Sequence, residues 1–156
     1  MFAVAVDFAN LLIAALVAGA MFGVWLSFNP AGLDAASYVA LQQQAIRTVN
    51  ATMPALGGVT ILLTLLAATI SRGDSARLAL LLAAAACFVA AGLITRFLNQ
   101  PINAIVIAWS AGAPPAEWTH FRDAWWRWHV LRTFIGIGGL CLVIAASLKD
   151  AITTSA

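Results

Sequence analysis

Long apolar stretches separated by short polar segments dominate the pattern of this chain. Uncharged runs cover residues 8–33, 49–71 and 78–95, and each contains the roughly 18 apolar residues that mark a transmembrane helix. A fourth run, 133–148, is shorter and needs part of the tryptophan-rich segment before it to cross a bilayer. The pattern predicts an all-α integral membrane protein with one domain, 1–156, folded as a four-transmembrane-helix bundle.

The polar segments between these runs predict the connections. A proline and a glycine end the first helix, and residues 34–50 then have the pattern of a polar helix with Asp34 as its N-cap. This predicts an interfacial helix after the first span, or one that leads into the second span. The segment SRGDSAR, residues 71–77, predicts a short turn between antiparallel neighbours, and SAGAPPAEW, residues 110–118, predicts a second hinge.

The stretch RFLNQPINAIVIAW, residues 96–109, places polar groups directly after an apolar run. One straight helix over residues 78–109 would measure about 48 Å at 1.5 Å per residue, against a hydrocarbon core of about 30 Å. Pro101 also lacks a backbone donor, which favours a kink or a break. We therefore expect a broken helix near Asn99–Pro101, with the following residues turning along the interface or folding back.

Three sets of polar residues with helical spacing lie at one end of the predicted bundle, because spans that alternate in direction bring residues 28–50 and 96–128 together. The sets are Gln43, Arg47 and Asn50; Arg96, Asn99 and Asn103; and Trp125, His129 and Arg132. An arginine at mid-bilayer costs roughly 2.5 to 3.5 kcal/mol on insertion scales, so these sets should face inward and converge on one pocket. In the plainer interpretation, the asparagines only join helices and the tryptophans only form an aromatic belt.

Composition supports the membrane class and excludes others. The chain is 63% hydrophobic and 9% charged with a mean hydropathy of +0.95, whereas an average soluble domain has about 25% charged residues. A net charge of +2 without a basic stripe excludes nucleic acid as a partner and leaves membrane lipid. No Lys or Arg precedes the first apolar run, which argues against a cleaved signal peptide. Lys and Arg are too evenly divided between the two ends to fix the orientation, and a homo-oligomer stays open.

The two polar motifs resemble those of a known family. RFLNQPINAIVIAW, a hinge and then WWRWHVLRT resemble the anthrone oxygenase family of small four-helix membrane proteins. The most specific element is the N-x-P-x-N core at Asn99, Pro101 and Asn103, followed downstream by a Trp, a His and an Arg three residues later. The resemblance implies a cofactor-independent oxygenase in a membrane, expected to be the bacterial inner membrane. It would convert a flat, hydrophobic aromatic molecule such as an anthrone into a quinone with O2.

The resemblance also implies roles for individual residues. His129 is the side chain of these sets that titrates near neutral pH without perturbation, and it is the expected base. Arginine and asparagine donors would hold the oxyanion that develops on the substrate. The expected catalytic residues are His129, Arg132 and Arg96. The expected substrate-binding residues are Asn99, Asn103, Trp109, Trp125, Arg47 and Asn50.

Two other classes of function compete with this interpretation. A metal enzyme would have His120, Asp123 and Glu117 as weak ligands. His120 and His129 are nine residues apart and therefore about 180° apart on a helix, so the sequence predicts no metal site and no cofactor. The other class is a non-enzymatic membrane subunit, or a quinone- or lipid-binding protein, that uses the same pocket only for association.

Overall fold

The computed structural model describes the backbone of residues 1–154 and the side chains of residues 1–149. Residues 155–156 of the predicted domain lie outside the described part. Four helices in the described part are long and apolar enough to cross a membrane, and no strand is assigned there. These spans are Phe2–Gly32, Thr52–Ile70, Ser75–Val106 and Trp118–Lys149. The predicted four-helix bundle is confirmed, and these features mark a membrane protein.

The helices follow the predicted order, and their bounds differ by a few residues or more from those of the apolar runs. They are α1 (Phe2–Ser27), α2 (Ala35–Val49), α3 (Thr52–Ile70), α4 (Ser75–Ile94), α5 (Gln100–Val106) and α6 (Trp118–Thr154). A 3-10 turn, Pro30–Gly32, follows α1. The fourth span begins at Trp118, so it includes the whole tryptophan-rich segment that the run 133–148 needed.

Aspartates begin the two helices that follow polar turns. Asp34 accepts a hydrogen bond from the backbone N–H of Ser37 at 2.9 Å, which confirms it as the N-cap of α2. This hydrogen bond lowers the pKa of Asp34 below its ordinary value. Asp74 caps α4 in the same way, through the backbone N–H groups of Ala76 and Arg77.

The four spans pack as a closed ring in the order α1, α3, α4 and α6. Small side chains let the helices approach closely, as is usual where lipid provides no hydrophobic driving force. Ala14, Ala84 and Val143 meet Phe88 at the middle of the bundle. Gly139 of α6 faces α4 so closely that a Cβ there would lie 2.8 Å from Cε1 of Phe88.

Ion pairs join the helices at the end that holds the turn between α3 and α4. Arg77 of α4 donates to Asp7 of α1 at 2.6 Å, and Lys149 of α6 donates to Asp74. The Lys149 ammonium is the largest cause that lowers the pKa of the Asp74 carboxyl. These contacts connect three of the four spans at this end.

The third span is interrupted by a π-helical turn, Thr95–Asn99, and then resumes as α5. The backbone N–H of Gln100 bonds to the carbonyl of Thr95, five residues earlier, instead of four. The α-helical pattern is therefore broken at Asn99, as expected, but the chain neither turns along an interface nor folds back there. The wider turn takes up an extra residue just before Pro101, and the helix continues to Val106.

The interfacial helix α2 packs across the opposite end of the bundle. Tyr38, Val39 and Ile46 of α2 form a buried cluster with Val106 of α5. Burial raises the pKa of the Tyr38 hydroxyl above its ordinary value of 10.0, because the charged form loses contact with water. This packing covers the end of the bundle that contains the predicted polar residues.

Candidate functional site

A cavity of about 690 Å³ lies at the end of the bundle covered by α2. All four spans and α2 contribute to its walls, which are mostly apolar. Its size falls in the range typical of small-molecule sites, roughly 300 to 1,000 Å³. The polar groups at its surface therefore decide what it can bind.

Arg132 is the charged group most firmly held in this cavity. Its Nη1 donates to Oγ1 of Thr95 at 2.9 Å, and its Nη2 lies 3.0 Å from Nδ1 of His129. Thr95 in turn donates to the carbonyl of Ala91 at 2.8 Å. These bonds fix the guanidinium between the π-helical turn and α6, so its positive charge is held in place beside an apolar space.

The partners of His129 determine which nitrogen carries its proton. A guanidinium can only donate, so Nδ1 of His129 accepts the bond from Arg132. The neutral ring then carries its proton on Nε2, which donates to the backbone carbonyl of Met21 at 3.2 Å. His129 is 1% exposed, and both of its ring nitrogens are occupied.

An aromatic stack supports this histidine. Trp125 lies parallel to the His129 ring, with 5.0 Å between the ring centroids and 2° between the planes. Phe28 meets Trp125 edge to face at 6.4 Å. Buried Asn99 donates from Nδ2 to the backbone carbonyl of Trp125 at 3.0 Å, so the third span fixes the turn of α6 that carries Trp125.

The π-helical turn aligns two of these contacts. Thr95 at its start reaches Arg132, and Asn99 at its end reaches the backbone of Trp125. π-helical turns occur frequently at functional sites because they re-aim side chains within a helix. Here the turn connects the third span to both Trp125 and Arg132.

A network of amide side chains holds α2 against α5. Gln42 donates to Oδ1 of Asn103 at 3.3 Å, and Asn103 donates to Oδ1 of Asn50 at 2.8 Å. Gln43 donates to the carbonyls of Val106 and Trp109, near the end of α5. This network keeps α2 over the cavity.

The structure brings some of the expected residues together and separates others. Trp125, His129 and Arg132 line the main cavity, Asn50 and Asn103 line a smaller adjoining one, and Asn99 is buried behind them. The inward orientation expected of Arg47 is wrong, because Arg47 is exposed and lines neither cavity. Arg96 is exposed but still lines the main cavity. Its Cζ lies 5.9 Å from the centroid of the exposed Phe97 ring, so its charge also lies at the outer surface of the bundle.

Arg47 and Trp109 belong to other surfaces. Arg47 follows Ile46 in α2 and points away from the face that Ile46 buries, so it is not among the described residues that line either cavity. Trp109 lies beyond the end of α5 and packs edge to face on Phe121 at 5.4 Å, also outside both linings. The helix ends at Val106, which carries Trp109 away from the cavity.

Sequence reasoning missed Gln42 and Thr95. Gln42 lies four residues from both Tyr38 and Ile46, so the apolar face of α2 was a signal that it is buried. Thr95 closes the third apolar run and gave no signal of its own, because threonine in such a helix commonly bonds to its own backbone. Among the described residues, no three His, Cys, Asp or Glu side chains lie close enough together to hold a metal ion.

Comparison with known proteins identifies one family. A family model described as anthrone oxygenase matches residues 43–142, about two thirds of the chain. The matched span includes Thr95, Asn99, Trp125, His129 and Arg132. No curated protein and no solved structure matches the chain.

Proposed function

The chain belongs to the anthrone oxygenase family, and on that premise we propose that it is a membrane-embedded oxygenase that acts on a flat aromatic substrate with O2 and without an added cofactor. The observation that carries the proposal is the fixed guanidinium of Arg132 at the wall of a largely apolar cavity of about 690 Å³. Such a cavity suits a hydrophobic polycycle, and a half-buried cation held beside it suits a substrate that becomes an anion. We place the protein in a bacterial inner membrane, crossed four times.

The proposed reaction needs a site that stabilises negative charge. An anthrone-like substrate loses a proton from the methylene carbon between its aromatic rings, and the electron pair delocalises onto the carbonyl oxygen. The carbanion then forms a C–O bond with O2, and the resulting peroxide takes up a proton. Loss of water leaves a second carbonyl, so one oxygen atom enters the product and the other leaves with two hydrogens.

In this proposal Arg132 stabilises the oxyanion, and His129 positions Arg132. The carbonyl oxygen and the methylene carbon lie at opposite ends of the central ring, whereas Arg132 and His129 are hydrogen-bonded neighbours. A substrate whose oxygen approaches Arg132 therefore holds its methylene away from His129. Both nitrogens of His129 are also occupied. We accordingly assign His129 a positioning role instead of the role of base, and a water molecule takes the proton.

Substitution of Arg132 tests the proposal. We expect Arg132→Gln to lower the rate of O2 consumption with anthrones about 10² to 10³-fold, the usual cost of removing one fixed oxyanion donor. Uptake would be measured with an oxygen electrode on purified protein in detergent, over a series of anthrones. The matched control is Arg127→Gln, which removes an exposed arginine of the same helix that stacks on Trp128.

Thermal unfolding of the same samples separates chemistry from folding. A folded Arg132→Gln protein with undiminished uptake would refute the role of Arg132. A wild-type protein that consumes no O2 with any anthrone would refute the oxygenase itself.

A further inference from the structure

Two glycines line the main cavity where the neighbouring helices α3 and α4 leave free space. They are Gly58 of α3 and Gly92 of α4, and a Cβ added to either would meet no heavy atom within 4 Å. Nearer the other end of the bundle, the same two helices pack closely, with Ala68 and Leu81 in one apolar cluster. Gly92 is also exposed at the outer surface. The edge of the cavity at these two glycines is here called the lateral mouth.

The lateral mouth lies at the depth of the lipid chains. At 1.5 Å per residue, Gly58 is about 20 Å from Ser71 and Gly92 is about 22 Å from Arg77, at the two ends of the turn between α3 and α4. The hydrocarbon core of a bilayer is about 30 Å thick. A molecule that enters the cavity here therefore comes from the lipid phase.

Arg96 lies one turn beyond Gly92 and lines the same cavity. It is about 28 Å from Arg77, which places it close to the lipid headgroups on the side of α2. Its guanidinium contacts the exposed Phe97 ring, and no carboxylate in the described part of the chain pairs with it. Neither α3 nor the third span contains an acidic residue. The cation therefore lies without a counter-ion at the edge of an apolar opening.

An anion joined to an apolar chain is complementary to this arrangement. We propose that the lateral mouth binds one anionic phospholipid, whose phosphate pairs with Arg96 and one of whose acyl chains passes between Gly58 and Gly92. Arginine and phosphate form short, charge-assisted hydrogen bonds. Beyond the glycines the chain contacts Phe88, which lines the cavity about 12 Å along the helix from Arg96 and is within the length of an acyl chain.

Other occupants fit the lateral mouth less well. Water would lie at hydrocarbon depth against mostly apolar walls. A zwitterionic lipid has a cation of its own beside the phosphate, which weakens the attraction to Arg96. A fatty acid also joins an anionic head to an apolar chain, but the phosphate of a phospholipid already lies at the headgroup level that Arg96 occupies. The inference does not depend on oxygenase activity, because it concerns only the opening of the cavity.

Lipids that carry a photoreactive diazirine in the middle of one acyl chain test the proposal. The three probes are phosphatidylglycerol, phosphatidylcholine with the same chains and a fatty acid, each added in equal amount to vesicles that contain the protein. Mass spectrometry would compare adducts at Phe88, which is 6% exposed, with adducts at Leu62, which is 69% exposed and reports the surrounding bilayer. Relative to Leu62, we expect phosphatidylglycerol to give about fivefold more adducts at Phe88 than phosphatidylcholine, the effect of one arginine near an anionic headgroup.

Two pairs of variants separate the headgroup from the chain. Arg96→Gln should remove the preference for phosphatidylglycerol, whereas Arg47→Gln, which replaces an exposed arginine outside both linings, should keep it. Gly92→Leu should reduce the adducts at Phe88 from both phospholipids, because the new side chain fills the opening. Gly23→Leu is its matched control, because Gly23 is exposed, has no heavy atom within 4 Å of an added Cβ and lines neither cavity. Thermal unfolding verifies that each variant is folded.

Four results would overturn the inference. Equal adducts at Phe88 from the two phospholipids, or a preference that persists in folded Arg96→Gln protein, would refute the pairing with Arg96. Undiminished adducts at Phe88 in folded Gly92→Leu protein would mean that the chain enters elsewhere. More adducts from the fatty acid than from phosphatidylglycerol would reject the phospholipid as the occupant. O2 uptake plays no part in this readout, so the result stands whether or not the protein is an oxygenase.

Discussion

At the scale of single residues, the hydrogen-bond partners of His129 change its chemical role. The sequence marks it as a side chain that titrates near neutral pH, but its surroundings make it an acceptor toward Arg132 and a donor toward Met21. A base needs a free lone pair facing the proton that it removes. His129 offers none while Arg132 occupies Nδ1, so its contribution passes through the position of Arg132.

Substitution of His129 should therefore cost less than substitution of Arg132. We expect His129→Asn to lower the rate of O2 uptake about 10- to 100-fold, because an amide oxygen can still accept from Arg132 but holds it less precisely. His129→Leu should cost more than His129→Asn, because it leaves the Nη2 group of Arg132 unpaired.

The pH dependence of the rate distinguishes positioning from base catalysis. A positioning role predicts that the wild type and a folded His129→Asn protein have rate profiles of the same shape between pH 5 and 8, the interval in which a histidine base would titrate. An acidic limb that disappears in His129→Asn would restore the histidine as the base.

At the scale of secondary structure elements, close approach between α4 and α6 sets the position of the site. Thr95 and Asn99 contact α6 from the π-helical turn, and Gly139 lets the two helices meet further along. A side chain at Gly139 would press on the Phe88 ring and on Cys87, whose Cβ lies 3.1 Å from the position of an added Cβ. The lack of a side chain at Gly139 therefore helps to keep α4 and α6 in register.

Neighbouring glycines of α6 provide a matched test of this packing. Gly139→Ala should destabilise the protein by about 1 to 3 kcal/mol, the usual cost of overpacking. Gly138→Ala should be neutral or stabilise the protein by up to about 1 kcal/mol, because no heavy atom lies within 4 Å of an added Cβ and alanine favours the helix. Reversible unfolding in mixed micelles measures both. Equal stability of the two variants would show that α4 and α6 separate without cost.

At the scale of the whole molecule, one end of the bundle contributes to stability and the other holds the candidate site. The end with the turn between α3 and α4 holds the ion pairs Asp7–Arg77 and Asp74–Lys149, which tie helices together. The other end holds the cavity, the cover formed by α2 and the amide network. A change at the first end is expected to alter stability without altering the site.

Because the Asp74 carboxyl is part of these ion pairs, the stability of the protein should depend on pH in the range where this carboxyl titrates. Its pKa in the folded protein is lowered from the ordinary value of 3.8, chiefly by Lys149. A lowered folded pKa means that the stabilisation is complete above pH 3.8 and is lost as the pH falls through the folded pKa. The melting temperature of the wild type should therefore drop more steeply below pH 4 than that of Asp74→Asn, which retains a capping side chain.

Differential scanning calorimetry between pH 2 and 6 measures the two slopes, and O2 uptake at neutral pH provides the functional control. Identical slopes would mean that Asp74 and Lys149 do not stabilise the fold. A loss of uptake in Asp74→Asn would contradict the separation of the two ends.

The sequence by itself determined the membrane class, the number of spans and the end of the bundle where polar residues meet. Apolar run length is set by bilayer thickness, and antiparallel order follows from short turns, so neither needs tertiary information. The break at Asn99 was also predictable, because a missing backbone donor at Pro101 is a local property.

Only the tertiary structure decided which polar residues enter the site. Arg47, Arg96 and Arg132 have the same side chain and similar helical spacing, yet only Arg132 is fixed between two spans by Thr95 and His129. Helical periodicity gives the residues that share a face, but the rotation of each helix depends on packing with its neighbours, and here the π-helical turn changes that rotation within the third span.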